Sequence, residues 1–416
     1  VGIWTWLRHW FDPVAMMHYH GNFEDIGQWK DKAQIISIFQ NVTRSRGNAF
    51  WIRALLLLSS AFFMISAGVI THHLGLYGLG AYWDPVRLTP MGDFAYSAQN
   101  DNLKYPTCSL KNDALVSNDI STTLIDYTFL SAMIYQDPET HQKTTDEWFG
   151  SGVGTLDDHV IREYRKTLKI PHLDVDYDVV SFKNNNSIVV VRGSGTAWEW
   201  LTNAQLWLGA SLMEIFLYMF PCRDLFKSVL DEILEHMEFA ESSTLKEIQL
   251  EKQTTGLIEY MRKTKEYNQT ISITGHSMGG GVALITGAQT NIPAISISGP
   301  NNVHSRKTFD PALDFDTING MLFHVIPNRD FVPTFDKPGL LTQRVDCRAE
   351  SNDIIGCHDP IRTLCELMVE CGSFSRPPPC ACAVRFGYDE PKQISGNRTF
   401  SDICGTKRAN DGLPVT

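Results

Sequence analysis

The chain has 416 residues, 43% hydrophobic and 11% aromatic, enough for a large core in one domain with extensions or in two domains. Lys and Arg number 36 against 47 Asp and Glu, a net charge of −11. That balance argues against a nucleic-acid partner, which would want a basic stripe. A start at Val1 is what a processed or incomplete form would show.

Residues 1–50 mix polar and aromatic side chains, with Trp4, Trp6, Trp10, His18 and His20 near the start. They read as an extramembrane segment making interfacial or partner contacts, and no chemistry is assigned to them. Residues 54–70 carry no charge, and Trp51 and Ile52 extend the run beyond Arg53. A transmembrane helix over 51–72 is expected, at the short end of the roughly 20 residues that cross a bilayer. Arg44, Arg46 and Arg53 crowd its N-terminal side, whereas the other side offers His72, His73 and a distant Arg87. The positive-inside rule then places the N-terminus in the cytosol and the bulk of the chain in a lumen or outside the cell. Nine cysteines occur, seven of them from Cys347 to Cys404 and none in a C-x-x-C pair. Disulfides with one cysteine left over fit that spacing better than a metal site does, so no metal is expected. Sequons at Asn185, Asn268 and Asn397 agree with a lumenal placement.

Residues 73–112, with Gly, Pro and Tyr but little periodicity, read as a linker or strap. A folded domain over 113–372 opens near Asn118-Asp119, a helix cap, after which Ile120, Leu124, Tyr127, Leu130 and Ile134 recur at helical spacing as core. Tyr177–Phe182 and Ser187–Val191, joined by an Asn-rich turn, form a hairpin that ends in Arg192-Gly-Ser194. Residues 205–220 are strongly apolar but contain Glu214, which argues against a second span; a buried helix and an interfacial lid both fit. Over 223–267 two amphipathic helices are expected, the second opened by a capping box at Thr244. Thr270–Thr274 is a strand, Gly275-His276-Ser277-Met278-Gly279 a sharp turn, and the small residues Gly280–Ala288 a helix packed on the sheet. That context is the one a nucleophile elbow needs, with Ser277 exposed at the turn. Strands at Ala294–Ser298 and Met321–Ile326 follow, so the sheet is expected to be mostly parallel and flanked by helices, an α/β fold.

A serine needs a histidine to take its proton and a carboxylate to orient that histidine. Acids after Ser277 include Asp310, Asp314, Asp316, Asp330, Asp336 and Asp346. Asp330 stands directly after a strand in Asn-x-Asp-x-Val-Pro; Asp336 is the reserve. Of the histidines, His304 and His324 precede that acid, and His324, inside a strand, is expected to be a satisfied core residue. His358, in Gly356-Cys-His358, is then the base.

Arg192-Gly-Ser194 after a strand, the Gly-His-Ser-x-Gly elbow and the Asn-x-Asp motif, in this order, resemble the class 3 (triacylglycerol) lipases of the α/β-hydrolase fold. The Cys-His context is similar to that of divergent protist or vacuolar members, and the Asp330–His358 interval is shorter than in the secreted fungal enzymes. The resemblance covers 113–372 and leaves 373–416 as a Cys- and Pro-containing extension. It implies that Ser277, Asp330 and His358 are catalytic, and that Ser194 and the backbone N–H of Met278 form the oxyanion hole. It also implies a lipid ester substrate, no cofactor, and a lid in the region of 205–220. A contrasting reading is an accessory subunit of a membrane complex, docked through the N-terminal segment, with little or no turnover.

Overall fold

The structure, a computed structural model, describes residues 86–98, 104–112, 122–168, 175–182, 186–193, 250–264, 270–307, 309–350, 353 and 355–405. The chain divides into units 1–76 and 77–416, and the described residues all fall in the second. The expected membrane helix over 51–72, the segment 205–220 and Ser194 lie outside the described residues. Among the described residues no helix is long and apolar enough to cross a membrane.

The centre is a seven-stranded sheet whose spatial order follows the chain. Its strands are β1 (Gly154–Leu156), β2 (Tyr177–Phe182), β3 (Asn186–Val191), β4 (Thr270–His276), β5 (Ala294–Ile297), β6 (Leu322–Pro327) and β7 (Thr342–Val345). The pairs β1–β2 and β2–β3 are antiparallel, as a hairpin requires, and β3 through β7 pair in parallel. The α/β expectation of a mostly parallel sheet flanked by helices therefore holds.

Parallel strands need helices on their faces, because each return crossover must cover apolar surface. One face is covered by α3 (Asp158–Leu168), α4 (Leu250–Lys263) and α5 (Met278–Thr290), where Val160, Ile258 and Val282 meet Val189, Val191 and Ile273. The other face carries α1 (Leu124–Met133), α2 (Pro138–Phe149) and α7 (Pro360–Cys371), where Phe129, Trp148 and Leu367 meet Ile188, Val190 and Val325. Between them in sequence, the short α6 (Phe315–Met321) precedes β6.

Several boundaries differ from the sequence reading. Helix α1 begins at Leu124, not near Asn118-Asp119. Thr123 and Asp126 form a reciprocal capping box there, and an acid three residues past a Thr cap satisfies two end donors at once. Helix α4 is described from Leu250 onward, and its expected opening at Thr244 lies outside the described residues. Strand β4 runs on to His276 and α5 starts at Met278, so the turn between them is a single residue.

From Thr270 to Thr274 β4 alternates polar and apolar residues. A polar/apolar period of two suggests a half-exposed strand. Here both faces are buried, and the polar face meets one stripe of the α1 region. Tyr127 Oη lies 3.1 Å from Ser272 Oγ, Ser131 Oγ 2.9 Å from Thr274 Oγ1, and Tyr135 Oη 2.9 Å from His276 Nδ1. Residues at i, i+4 and i+8 follow one helix face, and strand residues at i, i+2 and i+4 follow one sheet face. The two periodicities put three polar pairs in step.

Four disulfides are present: Cys108–Cys371, Cys347–Cys357, Cys365–Cys382 and Cys380–Cys404. They take eight of the nine cysteines, and Cys222 lies outside the described residues. Two of them, with the α8 (Cys380–Val384) and α9 (Phe400–Cys404) turns, order the C-terminal segment. Phe94 packs edge-on to Phe400, and Phe94–Ala95 pairs antiparallel with Lys392–Gln393. Arg376, buried, donates from Nε to Asp126 Oδ1 at 2.7 Å, which locks that segment onto α1.

His324 is buried in β6 as expected, and among the described residues neither ring nitrogen has a hydrogen-bond partner. Burial holds its pKa down from 6.5 to about 4. A folded-state pKa below the unfolded value means that this site stabilises nothing extra above pH 6.5. It costs stability progressively as pH falls towards 4, because the unfolded chain takes up the proton first. At 1.36 kcal/mol per pH unit, the loss reaches about 3 kcal/mol. Denaturant titrations of His324→Leu should therefore show a shallower decline of stability between pH 7 and pH 4 than wild type, by about that amount.

Candidate active site

The site forms where β3, β4 and β6 end on one edge of the sheet, the carboxyl ends at which α/β sheets gather reactive groups. Ser277 has φ 58° and ψ −132°, a strained conformation for a residue with a side chain. The sharp turn brings backbones into contact, which explains the flanking glycines. A Cβ on Gly275 would sit 2.5 Å from Gly279 and 2.7 Å from Val191 O, and a Cβ on Gly279 would strike Val191 O and Arg192. Ser277 N–H donates to Ile297 O at 3.0 Å, and its C=O accepts from Gly280 and Gly281.

The structure brings Ser277, His358 and Asp330 together. Ser277 Oγ lies 2.9 Å from His358 Nε2, and His358 Nδ1 lies 2.9 and 3.1 Å from the two oxygens of Asp330. A carboxylate only accepts, so Nδ1 carries the hydrogen and Nε2 is left to accept from the Ser277 hydroxyl. All three residues are buried. Asp330 Oδ1 also accepts from Val332 N–H at 3.0 Å, which fixes the carboxylate.

The loop that presents His358 is held from several sides. Cys357 is bridged to Cys347, ten residues earlier. Arg329, itself at φ 70°, donates through its guanidinium to Cys347 O at 2.8 Å and to Ala349 O, so the residue beside the acid anchors the loop of the base. Asp359 caps α7 by accepting from Ile361 N–H at 2.9 Å. The short Asp330–His358 interval thus holds β7 and then a loop closed by the Cys347–Cys357 disulfide.

Met278 is the first residue of α5, a position whose backbone N–H has no partner inside the helix. Ser194 lies outside the described residues, but the turn leading to it is visible. Arg192 pairs with Asp176 at 2.7 Å, and Gly193 N–H donates to Tyr135 Oη at 3.1 Å. His276 is not merely an elbow spacer: its Nε2 lies 2.8 Å from His358 O, besides the Tyr135 contact at Nδ1. Burial, then the charge of His358, hold the His276 pKa well below 6.5, so this ring stays neutral.

The reserve acid Asp336 does other work, accepting from His304 N–H at 2.7 Å and Ser305 N–H at 2.8 Å. Asp346 pairs with Lys104, and Asp314 caps α6. Sequence reasoning missed Tyr135 and Arg329. The Asn-Arg-Asp triplet was the only local hint of the second, and nothing local marks the first. Among the described residues no cluster of His, Cys, Asp or Glu could hold a metal ion.

Comparison with known proteins gives a family match over part of the chain. Residues 188–338, from within β3 past Asp330, match the family model of lipase (class 3). No curated protein matches the chain. Among solved structures it is similar to the lipase of Rhizomucor miehei in its native propeptide complex, at 12% identity over 68% of this chain and 96% of that one, with a TM-score of 0.29. It is also similar to the lipase of Rhizopus microsporus var. chinensis, at 13% identity over 63% and 85% of the two chains, with a TM-score of 0.27. Over residues 188–338 the chain is thus similar to the class 3 lipases, a likeness that supports a triacylglycerol lipase-like carboxylic ester hydrolase.

Proposed function

We propose that the protein is a membrane-anchored serine acylhydrolase cleaving carboxylic esters of lipids, with Ser277 as nucleophile, His358 as general base and acid, and Asp330 as the group that orients His358. The hydrogen-bonded run from Ser277 through His358 to Asp330 is the observation that carries this reading. Ser277 Oγ attacks the ester carbonyl as His358 Nε2 takes its proton. The backbone N–H of Met278 and the Ser194 donor hold the oxyanion. His358 then gives the proton to the leaving alcohol, and water, activated by the same imidazole, releases the acid from the acyl-enzyme. With Gly193 N–H already engaged by Tyr135, the next amide along the turn, that of Ser194, is the one assigned to the oxyanion. The test is release of fatty acid from emulsified triacylglycerol by the purified full chain. Absence of turnover there and on a soluble ester would favour an accessory subunit.

Residues 51–72 supply the anchor in this reading, with the N-terminus cytosolic and the hydrolase unit lumenal or extracellular. The four disulfides support an oxidising compartment. Of the three sequons, Asn397 lies in an exposed run where an oligosaccharide fits, and Asn268 lies outside the described residues. Ser187 of the Asn185 sequon is instead fully buried and 3.1 Å from Ser181 Oγ. In cells that glycosylate lumenal proteins, peptide N-glycosidase should shift the wild-type band, and Asn397→Gln should reduce that shift. An unshifted wild-type band counts against this topology.

A further inference from the structure

We infer that His276 is a positioning residue: with Tyr135 it ties the turn after β3 to the main chain of His358. The inference rests on the triad reading. The carbonyl of His358 only accepts, so His276 Nε2 carries the ring hydrogen and donates at 2.8 Å. His276 Nδ1 must then accept, and the Tyr135 hydroxyl donates to it at 2.9 Å. Tyr135 Oη in turn accepts from Gly193 N–H at 3.1 Å. Every direction in the chain is fixed by chemistry: Gly193 N–H to Tyr135 O–H to His276 N–H to His358 C=O. Bonds aligned in one sense polarise one another, and both side chains in the chain are buried.

The two ends of this chain are the two parts of the site that no single element holds. One is the oxyanion turn behind β3; the other is the loop carrying the base. Asp330 fixes the imidazole of His358, whereas His276 fixes its backbone. Because the residue bonding His358 O directly precedes Ser277, the nucleophile and the base share one support. The rings of His276 and His358 lie 4.6 Å apart, centroid to centroid. A second positive charge there would oppose protonation of His358 in the transition state. His276 escapes this by staying neutral while His358 cycles.

The test uses the full chain and a soluble short-chain ester, with kcat normalised to the fraction of enzyme that a phosphonate labels at Ser277. Partial unfolding then lowers the amount of enzyme, not kcat. Tyr135→Phe should lower kcat about tenfold, with KM within about twofold, and His276→Phe about 100-fold, the scale of a small misplacement of reacting groups. His276→Gln offers an amide N–H near the place of Nε2 and should recover about tenfold of that loss. Because the residues act as one chain, the Tyr135→Phe/His276→Phe double variant should be no slower than His276→Phe alone. Single variants within twofold of wild type, or losses that multiply in the double variant, overturn the inference. If His276→Phe does not fold, Tyr135→Phe and His276→Gln decide by the same criteria. Should Ser277→Ala keep wild-type turnover, the triad reading fails instead, and the two failures stay distinct.

Discussion

Ser277→Ala is expected to reduce kcat on a soluble ester by about 10⁴- to 10⁶-fold, the range seen when a nucleophile is removed from a triad that acts as a unit. The substitution deletes one oxygen and its bond to His358 Nε2, and leaves the elbow otherwise intact. Ser277→Gly should be equally inactive but more stable than the Ala variant, by about 1 kcal/mol, because glycine adopts φ 58° without a Cβ clash. Stability therefore differs between the two variants while activity is lost in both. Steady-state kinetics and denaturant titration of the two variants check this. An Ala variant that kept even a tenth of the wild-type rate would place the nucleophile elsewhere.

The second large effect is at Asp330. Asp330→Asn keeps the size of the side chain and should keep the fold, yet lower kcat by about 10⁴-fold. The carboxylate accepts at both oxygens from His358 Nδ1, and one of them also accepts from Val332 N–H. An amide would place its oxygen on the Val332 donor and turn its NH₂ towards Nδ1. That demands a hydrogen on Nε2, and His358 could then no longer accept from Ser277. A thermal midpoint close to wild type with the rate lost would separate this tautomer effect from misfolding. By contrast, Asp336→Asn should leave kcat on the soluble ester within about threefold, since Asp336 is engaged by three backbone N–H groups away from the base.

Much of the candidate site was legible because its chemistry is local. A serine between glycines must sit at a tight turn between strand and helix, and the Cβ contacts at Gly275 and Gly279 give the reason. Asp330 was legible because few acids stand directly after a strand, and His358 because no other histidine follows. The elements with strong patterns, β2, β3, β5 and β6, also fell near where periodicity put them.

What escaped depends on contacts far apart in the chain. Tyr135 meets His276 across 141 positions, and neither carries a local signal of the other. Nothing local in β4 marks α1 as the partner of its polar face. The start of α1 was misplaced because Asn118-Asp119 and Thr123 are both good caps, and only the reciprocal bond with Asp126 decides. His324 reads as a satisfied core histidine, since a lone sequence cannot show that both of its nitrogens lack partners among the described residues.

The most direct test of the central claim is covalent capture of the nucleophile. Incubation of the full chain with an activated alkylphosphonate ester, followed by peptide mass spectrometry, should give one adduct, on the peptide containing Ser277. The adduct should form in step with loss of esterase activity, be absent from Ser277→Ala, and form far more slowly in His358→Ala. An adduct on another residue that tracks inactivation, or full turnover in a Ser277→Ala enzyme that takes up no label, would contradict the account.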